Sequence, residues 1–260
     1  MQILRRNSLP AATLNLPITH LNLFDKRNNM KRISLLISVL LLSACQIHSD
    51  ESRRNKILKF AANHPVAAQA IGLPGENAVN ITGNAARFAL KTGLDNRANG
   101  GEGLGTQVNA VRNTLWQAAI TARFGTEIAE KIGNAYEDDT AIRENKIQYF
   151  SRAAADQAAD LRNNRIGRTI GAANPDTDMK TLAQTVLNHY QKEGLWTARS
   201  VTEKGRTSWR ISRTKISRAE QQAAANRLKI LNENGFSAEE QQEYDKTLAT
   251  QTAGNKQESR

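Results

Sequence analysis

A chain of 260 residues with one cysteine, Cys45, closes no internal disulfide. Aromatic residues make up 5% of it, so the core is built from Ala, Leu, Ile and Val. Alanine-rich composition with few aromatics favours helix over sheet. Histidine is also scarce: beyond the first 45 residues only His48, His64 and His189 occur, too scattered for a zinc spacing. No Ser sits in a nucleophile elbow. No internal repeat and no long low-complexity segment is present. The longest uncharged apolar run, Ile33 to Ala44, spans 12 residues. A membrane-spanning helix needs about 20.

That short run has a definite context. Lys31 and Arg32 precede it, and small residues end it, which is the layout of a secretory signal. The ending Leu42-Ser43-Ala44-Cys45 resembles the lipobox of bacterial lipoproteins. The resemblance implies acylation of the Cys45 thiol (palmitate is a usual chain), cleavage just before it, and a further acyl chain on the new amino end. One chain anchors marginally and two or three hold stably, at about 0.8 kcal/mol per buried methylene. Gln46, a residue other than Asp after the cysteine, resembles an outer-membrane destination in a Gram-negative envelope. Residues 1–29 show no helical or strand period, and translation is expected to start at Met30. Removing residues 1–44 takes out Arg5, Arg6, Lys26, Arg27, Lys31, Arg32 and Asp25, and the net charge falls from +11 to +6. The remaining basic excess points to anionic neighbours such as headgroups or wall polymers, or serves solubility alone.

The expected fold is mainly α: a helical bundle around a central helix over about 106–124, with one small β-hairpin at about 198–212. Residues 45–56 read as a lipidated tether, 57–215 as the helical domain, and 216–260 as C-terminal helices and a frayed tail, "TAGNKQESR". Pro65 suits the first turn of a helix over Pro65–Ile71. Thr82 is a candidate cap for Asn84–Lys91, Thr106 for the central helix ending at Gly125, and Thr126 for a helix reaching about Glu137. Further helices are expected over about Ser151–Asn164 and Thr177–Glu193. Ser217 and Ser237 open capping boxes, "SRAE" and "SAEE". "GGEGLGT" opens a helix N-terminus and could cradle an anion. It lacks the Lys-Ser/Thr ending of a phosphate loop and reads as a connector.

The central stretch "TQVNAVRNTLWQAAITARF" carries two apolar stripes, one with Val108, Val111 and Leu115, the other with Trp116, Ile120 and Phe124. Asn109 and Asn113 fall on the Trp116 stripe, so their amides require polar partners across the core. Further on, Asp156, Asp160 and Asn163 share a narrow arc, with Asn164 beside it and Ala154, Ala158 and Leu161 opposite. By geometry alone that arc reads as a solvated helix face.

The segments "NAVRNTLWQA" (Asn109–Ala118), "AYE" (Ala135–Glu137) and "DLRNNRIGR" (Asp160–Arg168) together resemble an uncharacterised helical domain of bacterial secreted and toxin-associated proteins. Its pattern is Asp-Ala-aromatic-Arg-His-x-x-Trp-x-Ala, then Ala-His-Glu, then Asp-x-x-Asn-Asn-x-x-Gly-Arg. The third motif is complete here. In the first two, Asn109 stands for the family's Asp, and Asn113 and Tyr136 stand for its two His. Each change removes a group able to bind a metal or exchange a proton near neutral pH. What remains is Arg112, Trp116, Glu137, Asp160, Asn163, Asn164 and Arg168, which suit ligand binding better than hydrolysis.

The hairpin region holds Arg199, Lys204, Arg206, Arg210 and Arg213 beside Trp196 and Trp209. This suits an anionic polymer or headgroup surface, or equally a solvated sheet edge protected from pairing. The sequence-level expectation is therefore an acyl-anchored, non-catalytic binding domain. Its expected partners are the membrane, through Cys45, and an anionic envelope polymer or an envelope protein, but not nucleic acid. No cofactor or metal is expected. The alternative is a hydrolase of an envelope polymer, lipid or nucleic acid using Glu137, Asp156 and Asp160. A third reading is a purely structural lipoprotein.

Overall fold

The computed structural model describes residues 52–258 except 76–77, 95–102, 138–141 and 143–144, with side chains described to residue 251. Cys45, the signal segment and most of the tether lie outside the described residues, as does part of the glycine-rich loop.

The chain is mainly helical, with a small antiparallel sheet. In order come α1 (Arg53–Asn63), α2 (Pro65–Ile71), α3 (Ile81–Lys91), α4 (Gln107–Phe124), α5 (Thr126–Tyr136), β1 (Gln148–Tyr149), α6 (Arg152–Ala173), α7 (Met179–Lys192), β2 (Leu195–Glu203), β3 (Arg206–Thr214), α8 (Arg218–Lys229) and α9 (Ala238–Glu258). No described helix is long and apolar enough to cross a membrane.

α4 is the axis of the bundle. The Thr106 side chain accepts the Asn109 amide N–H at 3.2 Å, and Gly125, at φ 85°, ends the helix. Its residues are buried from Val108 to Val111 and from Thr114 to Ala122. It packs against α3, α5, α6 and α7. The α4–α6 interface is the most extensive in the protein. Glycines at i and i+4 of α6 make it close: a Cβ on Gly167 would lie 2.3 Å from the Thr114 carbonyl oxygen, and one on Gly171 would lie 2.3 Å from that of Ala118. These glycines also explain the length of α6. The expected end near Asn164 was wrong, because the helix continues to Ala173 with its glycine face sealed against α4.

Other boundaries differ for local reasons. Asn80, not Thr82, caps α3, with its side chain accepting the Gly83 N–H at 2.8 Å. Thr82 instead lies inside the first turn and takes a hydrogen bond from Trp116. α5 starts at Thr126 without a side-chain cap. Helix begins at Arg53, inside the expected tether, because Ser52 accepts the Asn55 N–H at 3.4 Å. The last segment is helical to Glu258, not frayed. Both capping boxes form as expected: Ser217 with Glu220, and Ser237 with Glu240.

The hairpin is longer than expected, Leu195 to Thr214, and turns at Lys204 and Gly205, both at positive φ. β1 adds a third strand beside β3, giving the order β1-β3-β2. One sheet face, with Ala198 and Ile211, packs with Tyr149 against Ala155, Ala158 and Ala159 of α6. The C-terminal helices join the main core through Ala224, Ala225, Leu228 and Leu231. Arg87 ties them to α3, donating to the Asn234 carbonyl at 2.8 Å while its guanidinium lies 4.0 Å from the Phe236 ring centre.

Candidate functional site

The arc of α6 that reads as solvated in sequence faces inward. Asp156 is 6% exposed, Asn163 is fully buried and Asn164 is 4% exposed. The reason is the neighbour: α4 presents amides where an apolar helix would leave carboxylates unpaired. Asn109 Nδ2 donates to Asp156 Oδ1 at 2.9 Å and to Asp160 Oδ1 at 3.1 Å. Asp156 also accepts the Gly105 backbone N–H, and Asn113 donates to Asp160. The guanidinium of Arg112, on the solvent side, holds the Asn109 carbonyl oxygen. At the end of the connector "GGEGLGT", the Gly105 backbone N–H is thus taken by the protein's own Asp156.

The two carboxyl groups share the Asn109 amide as a donor. Burial, then the Asp156 charge, then that of Glu137 push the Asp160 carboxyl well above the usual carboxylate range, while the Asn113 hydrogen bond and Arg112 oppose this. Burial also raises Asp156, opposed chiefly by the Gly105 N–H and then by Arg112 and Arg152. Two adjacent carboxylates in a desolvated site resist ionising together, which is why both are pushed upward. The pair's titration belongs to both groups together.

The remaining candidates divide by position. Trp116 donates from Nε1 to Thr82 Oγ1 at 3.0 Å and meets the Tyr136 ring edge-on at 5.2 Å. Burial raises the Tyr136 phenol. Glu137 caps the end of α5, its carbonyl accepting from Lys56 at 3.2 Å, and its charge reaches Asp160. Asn163 serves the sheet: it donates to the Trp196 carbonyl and accepts the Trp196 N–H, both at 2.9 Å. Asn164 lies on the α5 side, near Gly133. Arg168 donates to Gln117 Oε1 at 3.2 Å, and Gln117 Nε2 donates to the Ala129 carbonyl at 2.9 Å. Asn109, Arg112, Asn113, Glu137, Asp156 and Asp160 therefore come together, whereas Trp116 with Tyr136, Asn163, and Asn164 with Arg168 brace separate helix contacts. Sequence reading missed Gln117, a fully buried amide that joins α4, α5 and α6. Its signal was a polar residue within an otherwise apolar stretch. Among the described residues, no three His, Cys, Asp or Glu side chains are grouped to hold a metal ion.

The hairpin cations separate by strand alternation. Arg199, Arg206 and Arg210 share the sheet face that turns away from α6, with Arg199 directly opposite Arg210 and Arg206 opposite Glu203. Arg210 pairs with Glu203 at 3.3 Å. Lys204 is at the exposed turn. Arg213 falls on the other face, donating to the Gly194 carbonyl at 3.2 Å beside His189, so it does not join that patch. Trp196 and Trp209 receive the guanidinium groups of Arg162 and Arg152, at 4.7 and 5.4 Å.

Residues 75–194 match the model of a family described as a domain of unknown function (DUF6973). The matched span ends at Gly194, just before β2, and contains the whole polar centre. α1, the hairpin and the C-terminal helices lie outside it. No curated protein and no solved structure matches the chain.

Proposed function

We propose that this chain is an envelope lipoprotein, anchored through acyl chains on Cys45 and sorted to the outer membrane, whose helical domain binds a partner without catalysing a reaction. One observation carries the non-catalytic part: the Asp156 and Asp160 carboxyls are engaged by donors of the protein itself, Asn109, Asn113 and the Gly105 N–H. A carboxylate committed to internal amides is a poor metal ligand or base for an external substrate. The amides and phenol at positions 109, 113 and 136 support the same reading through the resemblance to the helical domain. The partially exposed side of the centre, with Arg112, Asn113 and Glu137, is the ligand-facing part of this proposal. The Arg199, Arg206, Arg210 face and Lys204 supply contact with an anionic envelope polymer or an acidic envelope protein.

The hydrolase reading retains one supporting feature, an Asp160 carboxyl pushed well above the usual carboxylate range by burial and then by the Asp156 and Glu137 charges, the direction a general acid needs. The deciding experiment compares zinc and manganese uptake by the wild type with that of Asn113→His/Tyr136→His. Uptake by the double variant alone supports a binding domain that has lost its metal-capable groups. Tight uptake by the wild type overturns that reading in favour of a metal-assisted hydrolase.

A further inference from the structure

A concavity lies between α1 and α5, with a volume of about 710 Å³. Pockets of about 300–1,000 Å³ are the usual size for small-molecule sites. Lys56, Lys59, Phe60 and Asn63 line it from α1 at the i, i+3, i+4, i+7 spacing of one helix face, and Lys131 and Asn134 face them from α5. Two packed helices ordinarily meet through apolar residues. Here the floor is apolar, with Phe60 only 6% exposed and Ala135 beside it, while the walls carry three ammonium groups, two amides and His64. Among the described residues, no acid lines the cavity. Lys131 pairs with Glu127 at 2.7 Å, an acid that also feels His64, and Lys56 donates to the Glu137 carbonyl, which neutralises none of its charge. Lys59 pairs with no carboxylate among the described residues.

We infer that the α1–α5 cavity is a binding site for a phosphate ester carrying an apolar group, with Lys56, Lys59 and Lys131 around the phosphate and Phe60 under the apolar part. A phosphate monoester is a dianion near neutral pH and spreads its charge over several oxygens. Separate lysine ammonium groups meet such a charge as point cations, and amides donate to the oxygens left over. The Phe60 ring and the lysine stems give an alkyl chain a surface to cover. A lipid headgroup and a soluble phosphate ester share this chemistry. The site is independent of acylation at Cys45, and its α1 wall lies outside the span that matches the uncharacterised family.

The test is calorimetric titration of the full chain, in neutral detergent, with hexyl phosphate and inorganic phosphate as probes. Hexyl phosphate is expected to bind at least about tenfold more tightly than inorganic phosphate, because only the ester covers Phe60. In Lys59→Gln/Lys131→Gln, two exposed positions, binding is expected to weaken by about tenfold or more with an unchanged helical dichroism spectrum. A second arm uses the Cys45→Ala chain with phosphatidylcholine vesicles, with and without phosphatidic acid. Flotation with the phosphatidic acid vesicles, abolished by the lysine substitutions, identifies a lipid headgroup. Hexyl phosphate binding without flotation identifies a soluble ester. Equal affinity for both probes, no affinity for either, or undiminished binding by a folded double variant overturns the proposal.

Discussion

Asn163 holds Trp196 as a neighbouring strand would, with one amide taking both the backbone N–H and the backbone carbonyl of a single residue. This fastens the start of β2 to the middle of α6. Asn163→Ala leaves two backbone groups of Trp196 without that partner and opens a void at a fully buried position. A loss of about 2–4 kcal/mol in unfolding free energy is expected. Asn163→Asp keeps the acceptor but sets a buried carboxyl against the Trp196 carbonyl, so at neutral pH it is expected to lose at least as much as Ala. Urea denaturation of the three proteins checks the order, and equal midpoints for Ala and wild type contradict the clamp.

The α4–α6 contact gives a second prediction. Gly167→Ala and Gly171→Ala each place a methyl against a backbone carbonyl of α4 that cannot swing aside. Alanine favours helix over glycine by about 1 kcal/mol. Overpacking at this distance is expected to outweigh it, with a net loss of about 1–3 kcal/mol per site. Thermal melts that show either variant more stable than wild type would falsify the close approach.

The acidic pair fixes a pH dependence. Asp160 has a raised pKa in the folded protein, so between the ordinary aspartate range and that raised value the folded state binds more protons than the unfolded chain. Stability therefore falls as pH rises through this window, and the penalty is absent below the unfolded pKa. Asp156 contributes in the same direction. Asp160→Asn removes one titrating group and keeps a side chain that can donate to Asp156. It is expected to flatten the decline and to be relatively more stable at neutral pH than at acid pH. Denaturation midpoints measured across the window test this, and a wild type whose stability climbs steadily through it speaks against a raised Asp160 carboxyl.

Cys45 gives the fourth prediction, which rests on the lipobox resemblance. Cells expressing the chain with labelled palmitate are expected to label it, and Cys45→Ala is expected to abolish both the label and recovery in the membrane fraction. Native protein with a free thiol at Cys45 and an uncut N-terminus removes the anchored reading.

The sequence showed the helical class through composition and periodicity, and it located the ends of α4 and both capping boxes, because caps are local signals carried by residues three apart. It also showed that Asn109 and Asn113 sit among apolar positions and so need partners. It did not show which way α6 turns. Asp156, Asp160 and Asn163 make one face and Ala154, Ala158 and Leu161 the other, and in the fold both are covered, the polar face by α4 and Ala158 by the sheet. The end of α6 failed for a related reason. Gly167 and Gly171 look like helix breakers until Thr114 and Ala118 are found close beside them.

By itself the sequence determined the helical class, the ends of α4, the two capping boxes and the hairpin turn at Lys204–Gly205, all set by residues within a few positions of each other. The tertiary structure decided what those elements confront. It set Asp156 and Asp160 against the amides of α4, placed Arg213 away from Arg199 and Arg210, and aligned the lysines of α1 and α5 along one cavity. Those outcomes depend on how distant segments share their polar groups and their space, and no local pattern encodes that.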